Sequence, residues 1–149
     1  MDVNILLCDS AHEVGGKLYI LGGGWSILHL PNTPTNMALA MKIEVPWDQT
    51  SRAIAIKAAL KDVDGQDVDL GQGAVTAGGS VTVGRPAHVK PGTPIDLPIA
   101  MQFNGIALEP GGYVWELEVD GHVEARVGFR VMPGPSGDAS RPEQEGGEQ

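Results

Sequence analysis

Four carboxylates fall within eight residues in Asp62-Val-Asp64-Gly65-Gln-Asp67-Val-Asp69, the densest set of possible cation ligands in the chain. A calcium loop of the EF-hand type needs oxygen ligands at alternate positions, a glycine after the third and a closing glutamate. Here glycine follows the second aspartate directly, so the register fails. Asp62-Val-Asp-Gly65 reads instead as a turn, in which aspartate bonds its own backbone and glycine takes positive φ. Cys8 stands two positions before Ser10 and four before His12, a spacing that suggests a thiolate and a base. Yet a cysteine ending an apolar strand is ordinarily a small buried hydrophobe.

The four histidines, His12, His29, His88 and His122, are far apart and outside any HExxH or CxxC context. A zinc site would have to be assembled from distant strands with His and carboxylate ligands, because there is one cysteine. Leu21-Gly-Gly-Gly-Trp25-Ser26 has the glycines of a phosphate loop but not the helix that must follow it, since Ile27-Leu-His-Leu-Pro31 does not start one. No Gly-x-Ser-x-Gly elbow occurs. These residues point to no catalytic group, metal or cofactor. Two of the three tryptophans, Trp25 and Trp47, sit at strand ends beside loops, where they either plug a sandwich or offer an aromatic platform to a sugar or a protein.

The elements that would position these residues are strands. Leu39, Met41, Ile43 and Val45 alternate with Lys42 and Glu44, and Ile54, Ile56, Ala58 and Leu60 alternate with Lys57 and Lys61. Val3 to Cys8 and Lys17 to Leu21 are shorter apolar runs around Val14-Gly15-Gly16, and Gly22-Gly-Gly24 ends the second. Val68 to Leu70 and Ala74 to Val83 are weaker, Gly-rich runs with Val75, Val81 and Val83 as core candidates. Ile95, Leu97, Ile99, Met101 and Phe103 alternate around Pro98, which argues for an edge strand or a bulge.

Two further alternating runs meet at Asp120-Gly121, a β-hairpin signal, with Tyr113, Trp115, Leu117 and Val119 on the dry face of the first strand. The apolar set of the second strand is Val123, Ala125, Val127, Phe129 and Val131. A three-residue loop, Val119-Asp120-Gly121, keeps that set inward by pairing Leu117 with Val123, Trp115 with Ala125 and Tyr113 with Val127, with Gly121 left-handed in a bulge.

Eight or nine short strands with frequent turns and no helical periodicity predict an all-β, antiparallel β-sandwich, immunoglobulin-like or a related Greek key, over residues 1–132. Residues 133–149 contain no apolar side chain larger than alanine and read as a disordered acidic, Pro/Gly-rich tail. The chain is long enough for a core that hides roughly 70% of the unfolded surface. With one cysteine it forms no internal disulfide.

The start of the chain lacks a basic lead, and no apolar run approaches the ~20 residues of a membrane helix. The expectation is a cytoplasmic protein that does not contact membrane. A net charge of −9, with its ten basic residues scattered singly, disfavours nucleic acid.

Leu6-Leu-Cys-Asp-Ser-Ala11, Gly16-Lys-Leu-Tyr-Ile-Leu-Gly-Gly-Gly-Trp25, Ile43-Glu-Val-Pro-Trp-Asp48, Leu60-Lys-Asp-Val-Asp-Gly65, Gly84-Arg-Pro86 and Pro91-Gly-Thr-Pro94 together resemble a family of small uncharacterised bacterial proteins catalogued as a domain of unknown function. The resemblance covers nearly all of residues 3–131. It implies a compact β domain and assigns no activity. The functional expectation is therefore a non-enzymatic interaction or assembly module acting through a protein interface, as a homo-oligomer or accessory subunit. The alternative is a small-molecule or carbohydrate binder, a hydrolase included, with Trp25 and Trp47 as stacking walls.

Overall fold

The computed structural model describes residues 1–29 and 34–134, so the acidic tail expected from residue 133 lies almost wholly outside the described residues. The described chain forms β1 (Asp2–Val14), β2 (Lys17–Gly23), β3 (Ile27–His29), β4 (Thr35–Val45), β5 (Ala53–Asp62), β6 (Thr76–Thr82), β7 (Ile95–Ile106), β8 (Gly111–Val119) and β9 (His122–Met132), with one 3-10 turn at Trp47–Gln49. One sheet has the order β2-β1-β4-β7 and the other β3-β9-β8-β5-β6. The chain crosses between the sheets from β4 to β5, from β6 to β7 and from β7 to β8, in a Greek key. Strands β4 and β7 take the B and E places of an immunoglobulin-type sandwich, and β9, β8, β5 take G, F and C.

Every pairing is antiparallel except that of β3, which runs parallel to Arg130–Met132 of β9. The antiparallel sandwich expected from the sequence stands, with this three-residue pairing as its parallel exception. Val68 to Leu70 forms no named strand; it meets β5 through the Lys61–Asp67 bridge and the Val68 N–H to the Leu60 carbonyl, while Asp69 bridges Ala74. Pro98 does lie in an edge strand, since among the described residues nothing pairs with β7 beyond β4.

Alternation decides the core. Met37, Leu39, Met41, Ile43 and Val45 of β4 face Ile54, Ile56, Ala58 and Leu60 of β5 across a dry interior with Trp115, Leu117 and Phe129. Trp115 is fully buried, its ring centroid 4.2 Å from that of Phe103. Tyr113 is half-buried, stacks on Phe129 at 5.6 Å, and its hydroxyl donates to the Glu109 carbonyl oxygen at 2.8 Å. A tyrosine near the start of the F strand bonding backbone four residues back is the tyrosine corner of immunoglobulin-type folds.

The β8–β9 hairpin departs from the expected register. Val119 pairs with His122 across a two-residue turn in which Asp120 and Gly121 have φ of 51° and 82°, and the bulge falls one step into the strands, between Leu117 and Glu118. That turn type matches the twist of the strands it joins. Glu124 is the extra residue, so Leu117 faces Ala125, Trp115 faces Val127 and Tyr113 faces Phe129. From Ala125 onward the apolar set points inward, but Val123 pairs with Glu118 and is exposed, against expectation, and Ala125 is not small on account of Trp115.

The β1–β2 hairpin forms an arm bent over its own sheet. Cα atoms of β2 come within 8 Å of β7, although in a flat sheet of that order they would be about 14 Å apart. Cys8, Ala11, Ala38 and Ala40 are buried in a second cluster that Leu18 and Ala100 pack against. Ala38 and Ala40 occupy the face of β4 turned away from the main core, so the bent arm is what covers them. Gly22, at φ 60°, lies at the bend, where a Cβ would stand 2.2 Å from an Asp9 carboxylate oxygen.

Candidate functional site

The register places Trp25 and Trp47 at opposite ends of the sandwich. Trp47 follows β4 and shares its end with Asp120 of the hairpin turn, whereas Trp25 meets Phe129 edge-on at 5.9 Å near the other end of β9. With β5 spanning ten residues, the ends are about 30 Å apart. No single ligand can stack between the two rings.

Trp47 is half-buried beneath the Arg85 guanidinium, which lies 4.4 Å from its centroid. Arg85 also donates to the Thr50 hydroxyl and the Trp47 carbonyl, both at 2.7 Å, and Thr50 donates to the same carbonyl at 2.6 Å. These contacts tie the loop after β4 to the loop after β6. Trp25 is half-buried, and its indole Nε1–H is buried without an acceptor. Both tryptophans fill ends of the sandwich, each with one face taken.

At the Trp47 end, Asp120 accepts from the Ala55 N–H at 3.0 Å and from Arg52 at 2.8 Å. The Arg52 hydrogen bond, and after it that of Ala55, hold the Asp120 carboxyl below its ordinary value. Lys61 does the same to Asp67, first by hydrogen bond and then by charge. A carboxyl whose pKa is lowered by folding contributes stability that is complete above its unfolded value and is lost as pH falls through the folded one. Stability is thus expected to fall below about pH 4, and Asp120→Asn to flatten that fall. Urea titrations at about pH 3 and about pH 6 check this, and equal slopes for both proteins would refute it.

The carboxylates of the Asp62 turn serve the backbone. Asp62 accepts from the amides of Asp64 and Gln66 at 2.9 and 3.0 Å, Asp69 from those of Gly71 and Gly73 at 2.7 and 3.1 Å, and Asp67 pairs with Lys61. Cys8 is fully buried, its thiol donating to the Ala38 carbonyl at 3.4 Å. Burial and the neighbouring Asp9 push that thiol up, away from the reactive thiolate. Ser10 and His12 meet each other at 3.4 Å on the exposed arm, apart from the sulfur.

What the structure brings together, and the sequence did not reveal, is an apolar face on the arm. Alternation puts Tyr19 and Leu21 on one side of β2, paired with His12 and Ser10, and Val14 beside them. These side chains are 55%, 69% and 61% exposed, and Leu6 and Ile20 at the root of the arm are also open to solvent. The Lys17–Leu21 apolar run was legible as a strand. Its outward side became visible only with the bend that turns the other side onto Ala38 and Ala40.

A family model matches residues 4–132. The chain belongs to a family of unknown function (DUF6941). No curated protein matches it. Among solved structures it is similar to the Pseudomonas fluorescens alkylpurine DNA glycosylase AlkC bound to DNA containing an abasic site analog, at 14% identity and a TM-score of 0.41. The likeness covers 71% of this chain and 27% of that one, so this member of the DUF6941 family spans about a quarter of the glycosylase. Among the described residues no helix is long and apolar enough to cross a membrane, and no three His, Cys, Asp or Glu side chains are grouped as for a metal.

Proposed function

We propose that the protein is a non-enzymatic β-sandwich module that works through a protein interface, as a homo-oligomer or an accessory subunit. The outward face of the arm carries this reading: Val14, Tyr19 and Leu21 stand exposed together in one hairpin whose opposite side is already packed. Three exposed large apolar side chains, a tyrosine among them, set beside Ser10, His12 and Lys17 have the mixed composition of an interface rather than of ordinary surface. Nothing comparable favours a small-molecule site, because the two tryptophans are far apart and partly covered.

Tyr19→Lys combined with Leu21→Lys leaves the packed side of the arm intact and should keep the melting temperature close to that of the parent. The pair is expected to abolish self-association in size-exclusion chromatography with light scattering, or capture of a partner by the immobilised chain. A parent chain that stays monomeric and retains no partner would remove the proposal.

A further inference from the structure

The two sheets end side by side on the flank away from the arm's root. Strand β6 closes one sheet and β7 the other, and neither has an outer neighbour among the described residues. Between these free edges runs a groove of about 560 Å³, walled by Leu70 and Gln72–Ala77 on one side and Gln102–Ile106 on the other. Its walls mix Leu70, Val75 and Ala77 with Gln72, Thr76, Gln102 and Asn104, and the nearly buried Phe103 and Ile106 form its apolar floor. In an immunoglobulin-type sandwich the D strand would pair here with the E strand, and the described chain supplies no D strand.

Proline in a ladder is tolerated where its missing N–H would point away from the partner. Pro98 lies opposite Lys42 of β4, so the even-numbered residues of β7 are the ones that turn their N–H and C=O groups to the free edge. Beyond Pro98 these are Ala100, Gln102 and Asn104, the last two directly along the groove. The adjoining hollow shares Leu70 with the groove and is lined by Asp62, Asp67, Asp69 and Glu109. Lys61, paired with Asp67, is too little to neutralise them.

We propose that this groove receives an extended apolar segment of another protein as an added strand, antiparallel to β7, with a basic residue preceding the apolar run. The inference rests on the reading of the chain as an interface module and names a second surface and its partner. Strand addition supplies the backbone pairing, and alternate side chains enter the apolar floor. Because β7 runs toward the acidic hollow, an antiparallel strand enters there with its amino-terminal end, and charge selects Lys or Arg at that point. Residues 135–149 of the chain itself do not fit, being acidic and free of large apolar side chains. A second copy could present such a strand only at one of its own sheet edges, still joined to its neighbour in that sheet.

A ribosome-displayed library of random twelve-residue peptides, selected against the full chain and counter-selected against Ala77→Trp, tests this. Ala77→Trp fills the groove. Glu109→Lys reverses charge at its end, and among the described residues the Glu109 side chain makes no hydrogen bond, only its carbonyl accepting from Tyr113. Enriched peptides should carry Lys or Arg before alternating apolar residues. Their affinity, read by fluorescence anisotropy, should fall about tenfold or more with either variant.

Failure to enrich such sequences, or peptides that bind both variants as tightly as the parent, would overturn the proposal. If the groove selects nothing while the arm still mediates association, the groove inference alone fails. If the Tyr19→Lys, Leu21→Lys pair changes nothing in a chain that takes peptides in the groove, the arm reading fails instead.

Discussion

Trp115→Ala is expected to lower the free energy of unfolding by about 3 to 5 kcal/mol, the range for removing a large aromatic side chain from a core. Trp115 is fully buried at the centre of β8, pairs with Leu60 on one side and Val127 on the other, and lies against Phe103 of the facing sheet. Both sheets would lose contacts to one substitution. The loss is a large part of the 5 to 15 kcal/mol typical of a domain.

Trp115→Phe is the informative contrast. The Trp115 Nε1–H is buried without an acceptor, and leaving such a donor unpaired costs about 1 to 3 kcal/mol. Phenylalanine removes that donor and keeps most of the ring contact with Phe103, so its cost is expected to stay below about 1.5 kcal/mol. Equilibrium urea unfolding of the two variants decides the matter. A cost below about 1 kcal/mol for alanine would mean that Trp115 does not hold the sheets together.

Trp115 was legible in the sequence because period two survives wherever one face of a strand is dry. The same holds for Leu39 to Val45 and for Ile54 to Leu60, and together these strands define the sandwich. The features that escaped are those that no local pattern encodes. β3 is three residues long, so it has no period to read, and its parallel pairing depends on where β9 ends.

The hairpin turn was legible as Asp-Gly, but the compensation for its register was not. Either a wider loop or a bulge at Glu124 keeps Phe129 and Val131 inside, and the sequence does not distinguish them. Ala38 and Ala40 occupy positions that alternation assigns to solvent, and they are buried because a segment nearly thirty residues earlier folds across them.

The same distinction governs the candidate surfaces. Trp25 and Trp47 stood out by residue type, yet their significance depended on which end of the sandwich each reached, a property of topology. The exposed side of the arm and the groove beside β7 depend on which strands lack neighbours. Only Pro98 announced one of those edges in advance, because a missing donor is a chemical fact of the residue itself.

The groove also makes a demand on β6 that the run Thr76-Ala-Gly-Gly-Ser-Val-Thr82 meets with glycine. Gly78 pairs with Lys57 of β5, and a Cβ there would stand 2.3 Å from the Ile56 carbonyl oxygen and 3.0 Å from the Lys57 Cα. Both are backbone atoms of a strand held on its other side by β8, so they cannot yield as the end of a side chain would. Gly78→Ala is expected to destabilise by about 1 to 3 kcal/mol, as overpacking does, with the strain relieved by β6 peeling from β5 because an edge strand has no second partner to hold it.

Gly79 is the internal control. A Cβ there meets nothing within 4 Å, and Gly79→Ala should be neutral or stabilise by up to about 1 kcal/mol through reduced freedom of the unfolded chain. Thermal unfolding compares the two, and amide exchange along Ala53–Ala59 reports whether the β5–β6 ladder has opened. Equal stabilities would show that the close approach at Gly78 imposes no constraint. Selective loss at Gly78, with faster exchange confined to that ladder, would show that the wall carrying Ala77 is held in place by a backbone contact that only glycine permits.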